Sequence, residues 1–217
     1  MVKKRVAVLI SGRGSNMAAL IEAAKDASFP AEIVLVLSNR PAAAGLALAQ
    51  SRAVATAIVD HAAYGEDREG FERQMQELIE AHRVELICLA GFMRLLTPWF
   101  VTRWQGRLIN IHPALLPAFK GLDTHRRALA AGVRIHGASV HFVVPDTDAG
   151  PIIAQGAVAV RDDDTAASLA DRVLAIEHRI YPAALALLAA GRVKIVDGRC
   201  HIAGADGGAG QLIVPEI

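Results

Sequence analysis

The sequence predicts an α/β fold: a mainly parallel, twisted sheet flanked by helices, with an antiparallel hairpin towards the C-terminus. Three observations predict it. Arg5–Ile10 and Glu85–Ala90 contain short continuous apolar runs, the pattern of strands buried on both faces. Such runs alternate with stretches of helical length, which gives β-α-β units with right-handed crossovers. Further on, His136–Val144 and Ile152–Val160 flank a short turn rich in Pro, Asp and Gly, too short for a crossover helix. The architecture is Rossmann-like.

Composition narrows the class. The chain has 217 residues, of which 53% are hydrophobic and 21% charged, enough apolar material for one sizeable core. The formal net charge of +1 offers no basic excess for nucleic acid or a membrane surface. Cys88 lies in an apolar run, far from Cys200, so no disulfide scaffold is expected. No stretch approaches the ~18 apolar residues of a membrane helix. The expectation is a cytoplasmic protein, monomer or homodimer, with one domain over residues 1–203 and a glycine-rich tail over 204–217.

The elements follow in order. The Arg5–Ile10 strand ends in Ser11-Gly12-Arg13-Gly14-Ser15-Asn16, and a helix is expected over Met17–Ala27. A strand, a glycine loop and a helix start converge free N–H groups on one point, an anion site. The third glycine of a dinucleotide motif is replaced by Met17, and the next strand, Glu32–Leu37, ends in Ser38-Asn39 without a carboxylate for a ribose. A single phosphate on Gly14, Ser15 and Asn16 fits better, although Ser15-Asn16 would also serve as a simple N-cap. A helix over Ala42–Ser51, a strand over Ala55–Val59 and an amphipathic helix over Glu66–His82 come next. Arg68, in the first turn of that helix, could reach a phosphate. After the Glu85–Ala90 strand, Gly91 to Pro98 lies where such sheets bind ligands. There Phe92, Met93 and Leu96 can wall an apolar slot or simply pack.

Trp99–Arg103 reads as a short helix and Arg107–Ile111 as a strand. The strand runs into Asn110-Ile111-His112-Pro113, whose Asn and His are two apart and so share a face. Pro113 ends the ladder and holds His112 extended. An amide beside an imidazole at a strand end suits acid–base chemistry; mutual structural satisfaction is the alternative. His125–Ala131 is a predicted helix. The His136–Val144 strand, expected antiparallel, puts Ala138, Val140, Phe142 and Val144 on one side and Gly137, Ser139, His141 and Val143 on the other. Asp146 and Asp148 occupy the hairpin tip. A helix over Ala166–Ala190 is expected to kink or split at Pro182. A small hairpin turns at Asp197-Gly198.

Taken together, these stretches resemble the phosphoribosylglycinamide formyltransferases. The resemblance rests on Ser11–Asn16, Leu89–Arg94, Asn110–Pro117, His136–Phe142 and Asp148–Ile153, in that order, and covers about Arg5 to Gly198. It implies the formyltransferase fold, a nucleotide-binding N-terminal half and a folate-binding C-terminal half. It also implies formyl transfer from 10-formyltetrahydrofolate to the amine of glycinamide ribonucleotide, in purine biosynthesis and without a metal. It implies catalytic roles for Asn110, His112 and Asp148. Gly14, Ser15, Asn16, Arg68 and Glu177 would hold the nucleotide. Met93, Arg94, Leu95, Leu96, Val143 and Asp148 would line the folate site. Asp123 stands where relatives carry a histidine, and Leu174 replaces a polar residue one helical turn before Glu177. A formyltetrahydrofolate hydrolase, expected to carry an N-terminal regulatory domain, a methionyl-tRNA formyltransferase, expected to carry a C-terminal RNA-binding domain and a basic surface, a sugar-amine formyltransferase and a non-catalytic nucleotide-binding module are the alternatives.

Overall fold

The computed structural model describes residues 2–204 and 213–214. The expected tail lies outside the described residues except at Gly204, Ile213 and Val214. Strands β1 (Lys4–Ile10), β2 (Ala31–Ser38), β3 (Thr56–Ile58), β4 (Leu86–Leu89), β5 (Leu108–His112), β6 (Ile135–Phe142) and β7 (Ile152–Ala159) form one sheet in the order β3-β2-β1-β4-β5-β6-β7. The pairs from β3 to β5 are parallel, and β5–β6 and β6–β7 are antiparallel. Strands β8 (Val193–Val196) and β9 (Arg199–Ile202) form the expected small hairpin. The fold class is as the sequence predicts.

Alternation along β1 explains the two cores. Val6, Val8 and Ile10 face one side and pack with Met17, Leu20 and Ile21 of helix α1 (Ser15–Ala24). The same layer takes Leu169, Val173 and Tyr181 of the long helix α6 (Ala166–Ala189). Ala7 and Leu9 face the other side, under Phe71, Met75 and Ile79 of α3 (Arg68–Ala81) and Phe100 of α4 (Pro98–Arg103). These five of the seven β1 residues have no exposed surface. The short helices α2 (Ala44–Gln50) and α5 (Thr124–Ala130) complete the helical layers.

Three expectations need correction. The helix expected over Met17–Ala27 spans Ser15–Ala24, since the left-handed Gly14 starts it two residues earlier. The helix predicted from Glu66 begins at Arg68, because the Asp67 carboxylate accepts from the Gly70 amide at 2.8 Å and caps it. Helix α6 is not split at Pro182; it runs unbroken through all 24 residues. A proline inside a helix costs about 3 kcal/mol, but each large apolar side chain buried on α6 returns about 1.5–3 kcal/mol. Leu169, Val173, Tyr181 and Leu185, all fully buried, outweigh the lost hydrogen bond. The Tyr181 hydroxyl also lies 2.9 Å from the Leu89 carbonyl and 3.2 Å from that of Ile109, tying α6 to the ends of β4 and β5.

Candidate active site

Two cavities open at the carboxyl ends of β4 and β5. The larger, about 780 Å³, is lined from the α1, α5 and α6 side by Asn16, His125 and Glu177, with Gly91, His112 and Pro113 on its floor. The smaller, about 340 Å³, is lined from the α3–α4 side by Arg68, Leu96, Val101, His141 and Val143. Phe92, Arg94, Leu95, Asn110, Thr147 and Asp148 line both. The two cavities therefore meet at Asn110 and Asp148, next to His112.

The register of β5 on β6 builds this junction. Asn110 pairs with His141 and His112 with Ser139, so all four side chains share one face of the sheet. Asn110 Nδ2 lies 3.2 Å from His141 Nε2, while His141 Nδ1 lies 2.8 Å from the Phe142 carbonyl. The carbonyl takes the Nδ1 proton, which leaves Nε2 to accept from Asn110. Burial pushes the His141 pKa down and keeps this ring neutral. His141 thus fixes one N–H of Asn110 and leaves the other directed elsewhere.

His112 is 5% exposed. Its Nδ1 is 3.3 Å from Asp148 Oδ2 and its Nε2 is 3.0 Å from the Phe119 carbonyl oxygen. Both ring nitrogens face oxygen atoms of the protein. Asp148 has a positive φ of 49° at the hairpin tip and accepts from the Gly121 amide at 2.9 Å. The turn after His112 is held from beneath by Ser139, whose hydroxyl donates to Ala114 O at 2.7 Å and accepts from Leu116 N at 3.0 Å. Gln155 reaches the same hydroxyl from β7 at 2.8 Å.

In the glycine loop, Gly14 has φ +75° and is the N-cap of α1 with no side-chain cap. A Cβ there would approach Gly45 Cα to 3.0 Å, so the glycine also serves the packing of α2. Ser15 and Asn16 do not act as caps. The amides of Ser15, Asn16 and Met17 donate to no protein acceptor among the described residues, which leaves an anion-competent helix start. Asn16 Nδ2 donates to Glu177 Oε2 at 2.6 Å. Burial raises the Glu177 pKa, and the bond from Asn16 opposes that rise. Gly14 and Ser15 line neither cavity.

Two expected positions move. Arg68, expected beside the nucleotide, lies in the smaller cavity, where its guanidinium donates to the Leu95 carbonyl. Helix α3 covers the sheet face opposite to α1 and α6, so Arg68 cannot join Asn16 and Glu177. Met93, expected on the folate side, lines only the larger cavity, whereas Arg94, Leu95, Leu96, Val143 and Asp148 line the smaller one. The 91–96 loop crosses the end of the sheet, so neighbouring residues turn to different cavities. His141 and His125 were not among the expected site residues. The alternation of the β6 segment placed His141 opposite the apolar set, but nothing local said that β5 lies beside it.

Behind the His112 turn, His136 is 1% exposed and stacks edge-on against His125, with ring centroids 5.3 Å apart. Burial, aided by the neighbouring His125, pushes its pKa from 6.5 down to about 4. The folded state thus refuses a proton that the unfolded chain accepts, so the stability due to this ring is full above pH 6.5 and is lost as pH falls towards 4. Replacing His136 by Phe is expected to flatten that loss by about 2 kcal/mol. Urea unfolding of both proteins at pH 7 and pH 4.5 measures it; parallel curves would refute the assignment.

The sequence matches the formyl transferase family over residues 4–185. It is 49% identical over 193 residues to the trifunctional purine biosynthetic protein adenosine-3 of Gallus gallus, with 89% of this chain but only 19% of that protein aligned. The chain thus spans about a fifth of that relative. It is 41% identical to the phosphoribosylglycinamide formyltransferase of Escherichia coli, with 92% of this chain and 93% of the relative covered. The chain belongs to the phosphoribosylglycinamide formyltransferase family. The fold agrees: the crystal structure of glycinamide ribonucleotide transformylase 1 from Symbiobacterium toebii superposes with a TM-score of 0.89 at 43% identity, over 92% of this chain and 94% of that one. Asp123 occupies the N-cap position of α5 in a left-handed conformation with no side-chain cap bond, pairs with Arg126 at 2.6 Å and lines the larger cavity. Leu174 is half-buried on α6.

Proposed function

We propose that this chain transfers the formyl group of 10-formyltetrahydrofolate to the amine of glycinamide ribonucleotide, a step of purine biosynthesis. The observation that carries this reading is the pair of cavities meeting at Asn110 and Asp148. A two-substrate transfer needs two sites joined at the reacting atoms. The larger cavity would hold the nucleotide, with its phosphate at the Gly14, Ser15 and Asn16 amides and its ribose near Glu177. The smaller would hold the folate against Arg94, Leu95, Leu96 and Val143, with Arg68 available to an anionic end. Within residues 1–203 this divides the domain between two ligands rather than into two folding units.

The substrate amine attacks the formyl carbon and a C–N bond forms. The carbonyl oxygen becomes an oxyanion, to which the free N–H of Asn110 donates, joined by the Nε2–H of His112 as the oxyanion takes the place of the Phe119 carbonyl. His112 then passes a proton from the new ammonium towards the leaving folate nitrogen, and the bond from that nitrogen to the formyl carbon breaks. Asp148 stabilises the imidazolium, and His141 keeps Asn110 oriented. These steps require proton transfer and oxyanion stabilisation alone.

An absorbance assay of 10-formyltetrahydrofolate, with and without glycinamide ribonucleotide, tests the reading. Turnover that requires the amine is expected. Equal turnover without it would indicate a hydrolase, and no turnover in either arm a binding module.

A further inference from the structure

Ser11 lies in neither cavity, yet it joins the loops that build both. It directly follows β1 and precedes the Gly12–Asn16 loop. Its hydroxyl donates to Asn39 Oδ1 at 2.5 Å and accepts from the Met93 amide at 2.7 Å. Its own amide donates to the Gly91 carbonyl at 3.1 Å. Ser11 is 4% exposed and Asn39 fully buried. At the far end of the Asn39 side chain Nδ2 lies 3.2 Å from His61 Nδ1, which itself lies 2.8 Å from the Asn39 backbone carbonyl.

A serine hydroxyl has one proton. Because Asn39 takes it, the lone pairs are turned towards Met93. The hydroxyl is therefore an oriented acceptor, and it sets where the 91–96 loop crosses the sheet end. Met93 precedes Arg94, Leu95 and Leu96 of the smaller cavity, while Ser11 precedes the loop that ends in Asn16 of the larger one. A ligand that shifts one loop acts on the position of the other through this shared hydroxyl. We propose that Ser11 is a positioning residue that couples nucleotide binding to folate binding. The inference rests on the two-substrate reading above.

Calorimetric titration of the full chain with glycinamide ribonucleotide, alone and with saturating tetrahydrofolate, tests it. Tetrahydrofolate carries no formyl group, so the pair cannot react. The wild type is expected to bind the nucleotide about fivefold or more tightly when the folate is present. In Ser11→Ala that ratio should fall to about one, whereas a merely structural loss would weaken both titrations and leave the ratio unchanged. Ser11→Thr keeps the hydroxyl and should restore it. Asn39→Ala frees the hydroxyl to rotate and should give an intermediate ratio; this variant decides the matter if Ser11→Ala does not fold. A wild-type ratio of one, or a ratio unaltered in Ser11→Ala or Asn39→Ala, overturns the coupling alone, provided that wild-type turnover still requires the amine. A wild type that binds neither ligand overturns the two-substrate reading and the coupling with it.

Discussion

Replacing His112 by alanine is expected to lower kcat by about 10²–10⁴-fold while KM for either substrate changes only a few-fold. The proposed mechanism assigns the ring to proton transfer, not to affinity. It sits on the floor of the larger cavity, is 5% exposed, and is aimed by Asp148 at 3.3 Å and the Phe119 carbonyl at 3.0 Å. Its removal leaves Asn16 and Glu177, the proposed nucleotide contacts, and Arg94–Leu96, the proposed folate wall, in place. Steady-state kinetics with each substrate varied in turn would show the split. A rise in KM with kcat preserved would make His112 a binding residue and remove it from the proton path.

Truncating Asn110 to alanine is expected to lower kcat and kcat/KM together by about 10²–10³-fold. An amide that donates to an oxyanion strengthens its bond only as negative charge develops, so its loss falls on the transition state. His141 makes this donor rigid, since its neutral Nε2 holds one N–H of Asn110 at 3.2 Å. The same titration of kcat and KM checks it. A variant that retains wild-type kcat would show that the oxyanion is stabilised elsewhere, with His112 the nearest candidate.

Much of this site is legible in the chain because its chemistry is local. Asn110 and His112 share a face through the two-residue period of a strand, and Pro113 stops the strand beside them. The Ser11–Asn16 loop lacks the dinucleotide pattern in its own residues, and its helix start is indeed left open by Gly14. The Asp148 carboxylate, by contrast, becomes a partner of His112 only because a 36-residue separation closes through the β5–β6 register and the hairpin tip. Arg68 shows the limit most clearly. Its place in the first helical turn is readable, but the sheet face covered by that helix is not, and the face decides which cavity it enters. Pro182 shows another: the local rule allows a split helix, and the buried stripe on either side keeps the helix continuous.

The fold class, the strand ends that carry function and the types of residue on them come from near-neighbour physics: apolar periodicity, proline and glycine stereochemistry, and hydrogen bonding within a turn. Those forces act over a few residues and are written in consecutive letters. The pairing of Asn110 with His141, the meeting of two cavities at Asn110 and Asp148, and the Ser11 junction between two loops come from strand order and register. These depend on the packing of segments tens of residues apart, which minimises exposed apolar area over the whole sheet and leaves no signature in any one stretch.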